Sequence, residues 1–169
     1  MDYPNPKSIK ITTIVDEINW RHSAYSYLKQ TYKSGMIPKQ ELHELRIYGG
    51  MAGFWGDKER TKNIVPPNGL CVSILHNGKS YADAKTDSHI FYHYPRTGRN
   101  GIKDSNEIAA ARAILEHRVP IFVILPGISR STSDVKLGWI VADAIEEDVF
   151  LIEYGESDPF RLGSRRVNK

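Results

Sequence analysis

A curled β-sheet or small barrel of the α+β class, carrying a helical piece at its N-terminus, is the fold this sequence predicts. Three observations point there. The first forty-five residues have helical texture, the remainder is dominated by short β-rich runs, and one clear helix interrupts those runs. Strict alternation of strand and helix is missing, so a doubly wound parallel sheet is disfavoured. At 169 residues the chain is long enough for one full core and too short for two.

Each element has a local reason. Asp16 precedes Ile18, Trp20, Tyr25, Leu28 and Tyr32, a mostly helical spacing that stops at Ser34-Gly35. A shorter helix from Pro38 to Leu45 follows, with proline near its start, where its missing N–H costs nothing. Residues 1–45 are therefore expected to be a helical extension, and residues 46–169 the main domain. From Arg46 the texture changes: Gly49, Gly50, Gly53 and Gly56 punctuate an aromatic-bearing loop. Strands are predicted over Leu70–Leu75, Ile90–Tyr94, Val119–Leu125, Val135–Val141 and Val149–Glu153. The last two are joined as a hairpin by the acidic turn Glu146-Glu147-Asp148. Asp104 and Glu107 have capping-box spacing, and Ile108, Ala111 and Leu115 give the following helix an apolar face ending near His117.

Composition narrows the function classes. Apolar residues make up 40% and charged residues 25%, as in an ordinary globule, and the net charge of +3 permits a nucleic-acid partner without requiring one. The single cysteine, Cys71, sits in an apolar run and reads as a buried strand residue; one thiol makes neither a disulfide framework nor a zinc site. No charged-then-apolar leader and no membrane-length apolar run is present, so a cytoplasmic chain without a membrane partner is expected.

The chemistry concentrates in Ser80-Tyr81-Ala82-Asp83 and in Ile90 to Asn100. Aromatic faces can stack on a nucleobase, a carboxylate can accept from a base amino group, and Arg96 and Arg99 can meet phosphate. Alternation places Ile90, Tyr92 and Tyr94 on one strand face and His89, Phe91 and His93 on the other, so the phenol rings form a stacking platform. The glycine loop matches neither a Walker loop nor a dinucleotide fingerprint; it is read as a wall exposing Phe54 or Trp55, against the plainer alternative of a tight turn with core aromatics. His89 and His93 read as structural, and no serine has a nucleophile-elbow setting. Two Asp-x-Lys triplets, Asp83-Ala84-Lys85 and Asp134-Val135-Lys136, are what a metal-dependent nuclease could use. It would need a second carboxylate, for which only Asp57 or Asp87 offers itself.

The order of these pieces resembles the SRA (SET- and RING-associated, or YDG) domain, a PUA-like fold that reads modified cytosine in DNA. The matching runs are Gly49 to Gly56, Val72-Ser73-Ile74-Leu75, Gly78 to Asp83, Ile90-Phe91-Tyr92, Thr97-Gly98, the Asp104 helix, Val119 to Ile124, and Lys136 to Val141, covering roughly Arg46 to Tyr154. Lys79-Ser80-Tyr81 stands where the family has Gly-Gly-Tyr, Lys136-Leu137-Gly138 replaces Tyr-Asp-Gly, and Tyr94-Pro95 is inserted before Thr97. These departures fit a divergent bacterial or phage-type branch, in which such domains are fused to nuclease modules. The resemblance implies a curled PUA-like barrel in which Tyr81 and Tyr92 sandwich a flipped base, with Ser80 beside them and Asp83 accepting from the cytosine amine. Phe54, Trp55, Arg96, Thr97, Arg99 and Asn100 would lie against double-stranded DNA. It implies a reader in a modification-dependent restriction system, with no catalytic residue, metal or cofactor of its own. A nuclease built on an Asp-x-Lys triplet and a PUA-like RNA-binding module are the alternatives.

Overall fold

The structure is a computed structural model, and it describes residues 2–49, 53–76, 84–85, 88–95 and 101–155. Helix α1 (Ile14–Thr31) begins at Thr13, whose hydroxyl accepts from Asp16 N while the Asp16 carboxylate accepts from Thr13 N, a reciprocal capping box. Strand β1 (Ile37–Pro38), helix α2 (Lys39–Glu44), strand β2 (Phe54–Gly56) and the single turn α3 (Lys58–Thr61) follow. Then come β3 (Cys71–Leu75), β4 (Ala84–Lys85), β5 (His89–His93), helix α4 (Gly101–His117), β6 (Ile121–Pro126), β7 (Thr132–Ala144) and β8 (Val149–Tyr154).

The strands form one sheet in the order β2-β3-β6-β7-β8-β5-β4, with β1 attached to β7. Only β3 and β6 run parallel among the described strands, and α4 makes the crossover between β5 and β6. The sheet curls. Phe54 on β2 and Tyr92 on β5 belong to strands far apart in that order, yet their rings meet edge to face at 5.0 Å. The expected α+β class, curled sheet and N-terminal helix are therefore observed. Among the described residues the curl stays open between β2 and β4 rather than closing as a barrel.

Two apolar cores lie on the two faces. The inner one gathers Phe54, Ile74, Ile90, Tyr92, Ile121, Val123, Ile140, Phe150 and Ile152 around Ala111 and Ile114 of α4. The outer one sets Trp20, Ala24 and Leu28 of α1 and Leu42 of α2 against Val72, Phe122, Ile124, Leu137 and Trp139. The N-terminal helices are thus a layer of the same core as the sheet, and β1 within them is hydrogen-bonded into the sheet at Ile37↔Ser133.

Several local expectations are corrected. Phe54–Gly56 is a strand rather than loop, because its backbone pairs with β3 through a register shift at Gly56. The helix expected to start at Asp104 begins at Gly101, so Asp104 sits in its first turn, where a carboxylate favours the positive end of the helix dipole, and does not cap it. The β7–β8 hairpin and its acidic turn are as expected, with Asp148 in the left-handed region at φ 57°.

A chain of buried charges joins α1 to the sheet. Glu17 and Arg21, one helical turn apart and fully buried, pair at 2.7 Å. Arg21 Nη1 also donates to the carbonyls of Cys71 and Pro120, each at 2.7 Å. Arg60 donates to both Glu17 oxygens at 3.0 and 2.9 Å and to Asp57 at 2.7 Å, and its guanidinium lies 4.2 Å from the centre of the Trp20 ring. Arg46 closes the chain on Asp57 with a bidentate pair at 2.5 and 2.7 Å. Burial by itself would raise the Glu17 carboxyl; the Arg21 and Arg60 guanidiniums outweigh it and hold that carboxyl down at about 2.

The sign of the pH dependence follows. A depressed carboxyl stabilises the fold fully above its ordinary value of 4.5, and that contribution is lost as pH falls toward 2. Urea titrations from pH 7 to pH 2 should show this acid-limb loss in the wild type and a shallower one in Glu17→Gln. At pH 7 the same variant should unfold about 3 kcal/mol more easily, since it leaves Arg21 buried without its counter-charge.

Candidate nucleic-acid interface

The strand that carries the tyrosines alternates as its sequence requires. Ile90, Tyr92 and Tyr94 face inward and are buried, whereas Phe91 points out and is 46% exposed. The phenol face is therefore real, but it is turned into the inner core rather than laid open along the strand. Tyr92 is 7% exposed; its hydroxyl donates to Leu75 O at 2.7 Å and its ring abuts Phe54. Leu75 N in turn donates to Gly53 O at 2.7 Å. Strand β5, the end of β3 and the glycine loop are thereby tied at one point.

Gly53 is glycine for a visible reason. A Cβ there would be built onto the Tyr92 hydroxyl, so the loop backbone can pass only where no side chain stands. Phe54, expected at the DNA surface, is 2% exposed and lies between Tyr92 and Phe150; it is a core residue. Trp55 points to the opposite face, half-buried, with its ring 6.3 Å from that of Tyr48, and it is the member of the pair that reaches the surface.

Ser80, Tyr81 and Asp83 lie outside the described residues, as do Arg96, Thr97, Arg99 and Asn100. The ends that flank the first group are described. Residues 77–83 depart from His76, whose N–H donates to Ile124 O at 2.9 Å, and rejoin the sheet at Ala84, paired with Phe91. Both ends thus adjoin Tyr92: one carries the carbonyl that its hydroxyl holds, and the other pairs with its chain neighbour.

Tyr94 sits in a constellation that sequence reasoning missed. Its hydroxyl donates to Asp143 in a short hydrogen bond and accepts from Arg112 Nη2 at 3.2 Å, while Arg112 Nε donates to Asp143 at 2.7 Å. Burial first, and then the Asp143 carboxylate, push the Tyr94 phenol above its ordinary value, so it stays protonated and acts as a donor. Arg112 falls on the solvent side of a helix and Asp143 near a hairpin end, 31 residues apart, and no short motif links them.

The nuclease residues are engaged elsewhere. Asp134 accepts from Gly35 N at 3.2 Å and lies 3.6 Å from Lys136 of its own triplet, while Asp57 is saturated by Arg46 and Arg60. Asp83 and Asp87 are outside the described residues. Among the described residues no three His, Cys, Asp or Glu side chains are grouped to hold a metal, and no helix is long and apolar enough to cross a membrane. Burial pushes the Cys71 thiol up to about 12, which leaves it without nucleophilic character at neutral pH.

No family model matches the chain, and no curated protein matches it. Two solved structures are similar. A crystal structure of KRYPTONITE in complex with mCHG DNA and SAH aligns at 14% identity and TM-score 0.49, over 86% of this chain and 38% of that one. A crystal structure of KRYPTONITE in complex with mCHH DNA, an H3(1-15) peptide and SAH aligns at 13% identity and TM-score 0.45, over 84% and 37%. The chain spans well under half the length of either, and likeness of this degree assigns no function.

The Gly53–Tyr92 contact is testable by a double-mutant cycle. Tyr92→Phe should cost about 1 kcal/mol by leaving Leu75 O without its donor. Gly53→Ala should cost about 1–3 kcal/mol by overpacking. The double variant should be more stable than the sum of the two losses allows, because removing the hydroxyl opens the space the new methyl needs. Additive losses in urea denaturation would show that the loop is not held by this phenol.

Proposed function

We propose that this chain is a DNA-binding reader of modified cytosine, which flips the base out of a duplex into an aromatic pocket and serves as the recognition module of a modification-dependent restriction system. The observation that carries the reading is the convergence of both ends of the 77–83 segment on Tyr92. Seven residues tethered at His76 and Ala84 keep Tyr81 and Asp83 within a few residues' reach of that ring, the juxtaposition a base cage needs.

In this reading Tyr92 is a rigid wall, pinned by its hydroxyl and by Phe54, and Tyr81 closes over the base from the other side. Asp83 accepts from the exocyclic amine, and a base without that donor leaves a buried carboxylate unpaired. Flipping costs a few kcal/mol, which stacking at roughly 1–3 kcal/mol per base can offset. Arg96, Thr97, Arg99 and Asn100 hold the duplex backbone, with Trp55 at the edge. The Arg112–Asp143 pair fixes Tyr94, two residues before Arg96, and so gives that contact segment a firm base. Cleavage belongs to another module.

The deciding measurement is a panel of duplexes that differ only in one cytosine: unmodified, 5-methyl or 5-hydroxymethyl. A modified duplex should bind at least tenfold tighter, and affinity should fall with salt. Fluorescence of a 2-aminopurine beside the target should rise on binding. Asp83→Ala should lose the preference while keeping residual, salt-sensitive binding. Equal affinity across the panel rejects the reading. Selective binding with no fluorescence rise rejects the flipped-base cage.

A further inference from the structure

We propose that a second DNA contact lies at the corner formed by the loop after α1 and the β6–β7 turn, where Met36 and Ile128 project between Lys33, Lys39 and Arg130. The proposal rests on the reading of the chain as a duplex binder. Ile128 is 72% exposed and Met36 44%, and the three cations beside them are exposed as well. Exposed apolar side chains on two loop tips joined by a backbone hydrogen bond can form a patch of the kind that marks an interaction site.

The corner is rigid. Ile128 N donates to Gly35 O and Lys39 N to Ser131 O, both at 2.9 Å, and β1 pairs with β7 between them. Within the turn Ser129 N donates to the Thr132 hydroxyl at 3.1 Å, and Thr132 N to Ser129 O at 3.3 Å. Gly127 and Gly35 approach so closely that a Cβ on Gly127 would collide with Gly35 O and with Thr132. The backbone that carries the projecting side chains is therefore held in place before any partner arrives, which lowers the ordering cost of binding.

Charge selects the partner. Of the carboxylates on the same elements, Asp134 is paired with Lys136 at 3.6 Å, while Glu41 and Glu44 take neutral donors, the Tyr32 hydroxyl and Gln40, and keep their charge. Among the described residues no carboxylate forms an ion pair with Lys33, Lys39 or Arg130, so these cations are offered to an external polyanion. Topology then favours DNA over an anionic membrane. The parallel pairing of β3 with β6 ends both strands side by side, with His76 N on Ile124 O, so the β6–β7 turn lies at the sheet end from which residues 77–83 depart. Cations on this corner would contact phosphates flanking the flipped base, and Ile128 and Met36 would wedge against sugars or a base step.

The test compares the wild type with Lys33→Ala/Lys39→Ala/Arg130→Ala and with Ile128→Ser, on modified and unmodified 20-base-pair duplexes and on phosphatidylserine vesicles. Thermal melts should match, since all four side chains are exposed. The triple variant should bind both duplexes roughly tenfold more weakly, with the modification preference intact and a salt slope shallower by about 0.9 per lost contact. Ile128→Ser should weaken both several-fold without changing the slope. Wild-type affinity of the triple variant for both duplexes overturns the corner, whether or not vesicle binding falls, and leaves the reader intact. A wild type that ignores modification but still depends on these cations overturns the reader and keeps the corner. A wild type that binds no duplex overturns both.

Discussion

Arg21 reaches from the first helix to the carbonyls of Cys71 and Pro120, and most of the architecture hangs on that reach. Those carbonyls stand at the starts of β3 and β6, the two parallel neighbours in the sheet. The register shift between Trp55 and Gly56 disturbs the ladder where the Cys71 carbonyl sits, and a guanidinium is a donor long enough to reach it from α1. Burying that cation is expensive, so Glu17 must accompany it, and Glu17 brings Arg60, Asp57 and Arg46. One backbone irregularity thus organises a five-residue ionic chain that fixes the outer helical layer and the turn after β2 together.

With the outer layer fixed, the inner face is free to specialise. Its core is aromatic where Phe54 of β2 meets Tyr92 of β5, with rings in contact in the chain Tyr92–Phe54–Phe150–Tyr94, and aliphatic where α4 packs. Aromatic rings with hydroxyls are suited to this position because their apolar bodies fill the curl while their polar ends hold backbone and carboxylate partners at its rim. Rigid stems with functional side chains on the segments between them are a common division of labour in binding proteins.

Much of this was legible from the residues. The five longer strands, the hairpin turn and the shared face of Ile90, Tyr92 and Tyr94 follow from alternation and turn chemistry. The buried stripe of α1 did not, because Glu17, Trp20, Arg21, Ala24 and Leu28 put two charges where a hydrophobic pattern expects none. The two charges answer each other, and the further partners that make them tolerable are 43 to 99 residues away. β2 was hidden for a similar reason: Phe54-Trp55-Gly56 is too short for a periodic signal and is a strand only because β3 offers it a ladder. Alternation also placed the tyrosines on one face without saying that this face looks into the curl, since that depends on how far the sheet bends. The proposed base pocket is legible only as an order of motifs, and its Tyr81 and Asp83 lie outside the described residues.

The lone thiol has a practical consequence. Cys71 sits on the strand that Arg21 grips, almost wholly buried and held as the unreactive thiol. Cys71 lines a small cavity with Lys58, Asn68 and Asn106, so alkylating reagents reach it when the packing of α4 and of the turn after β2 against β3 loosens. Its labelling rate under native conditions therefore reports the opening of that packing, and the lone thiol leaves no second site to confuse the reading. The molecule carries its own single-site reporter of conformational lifetime.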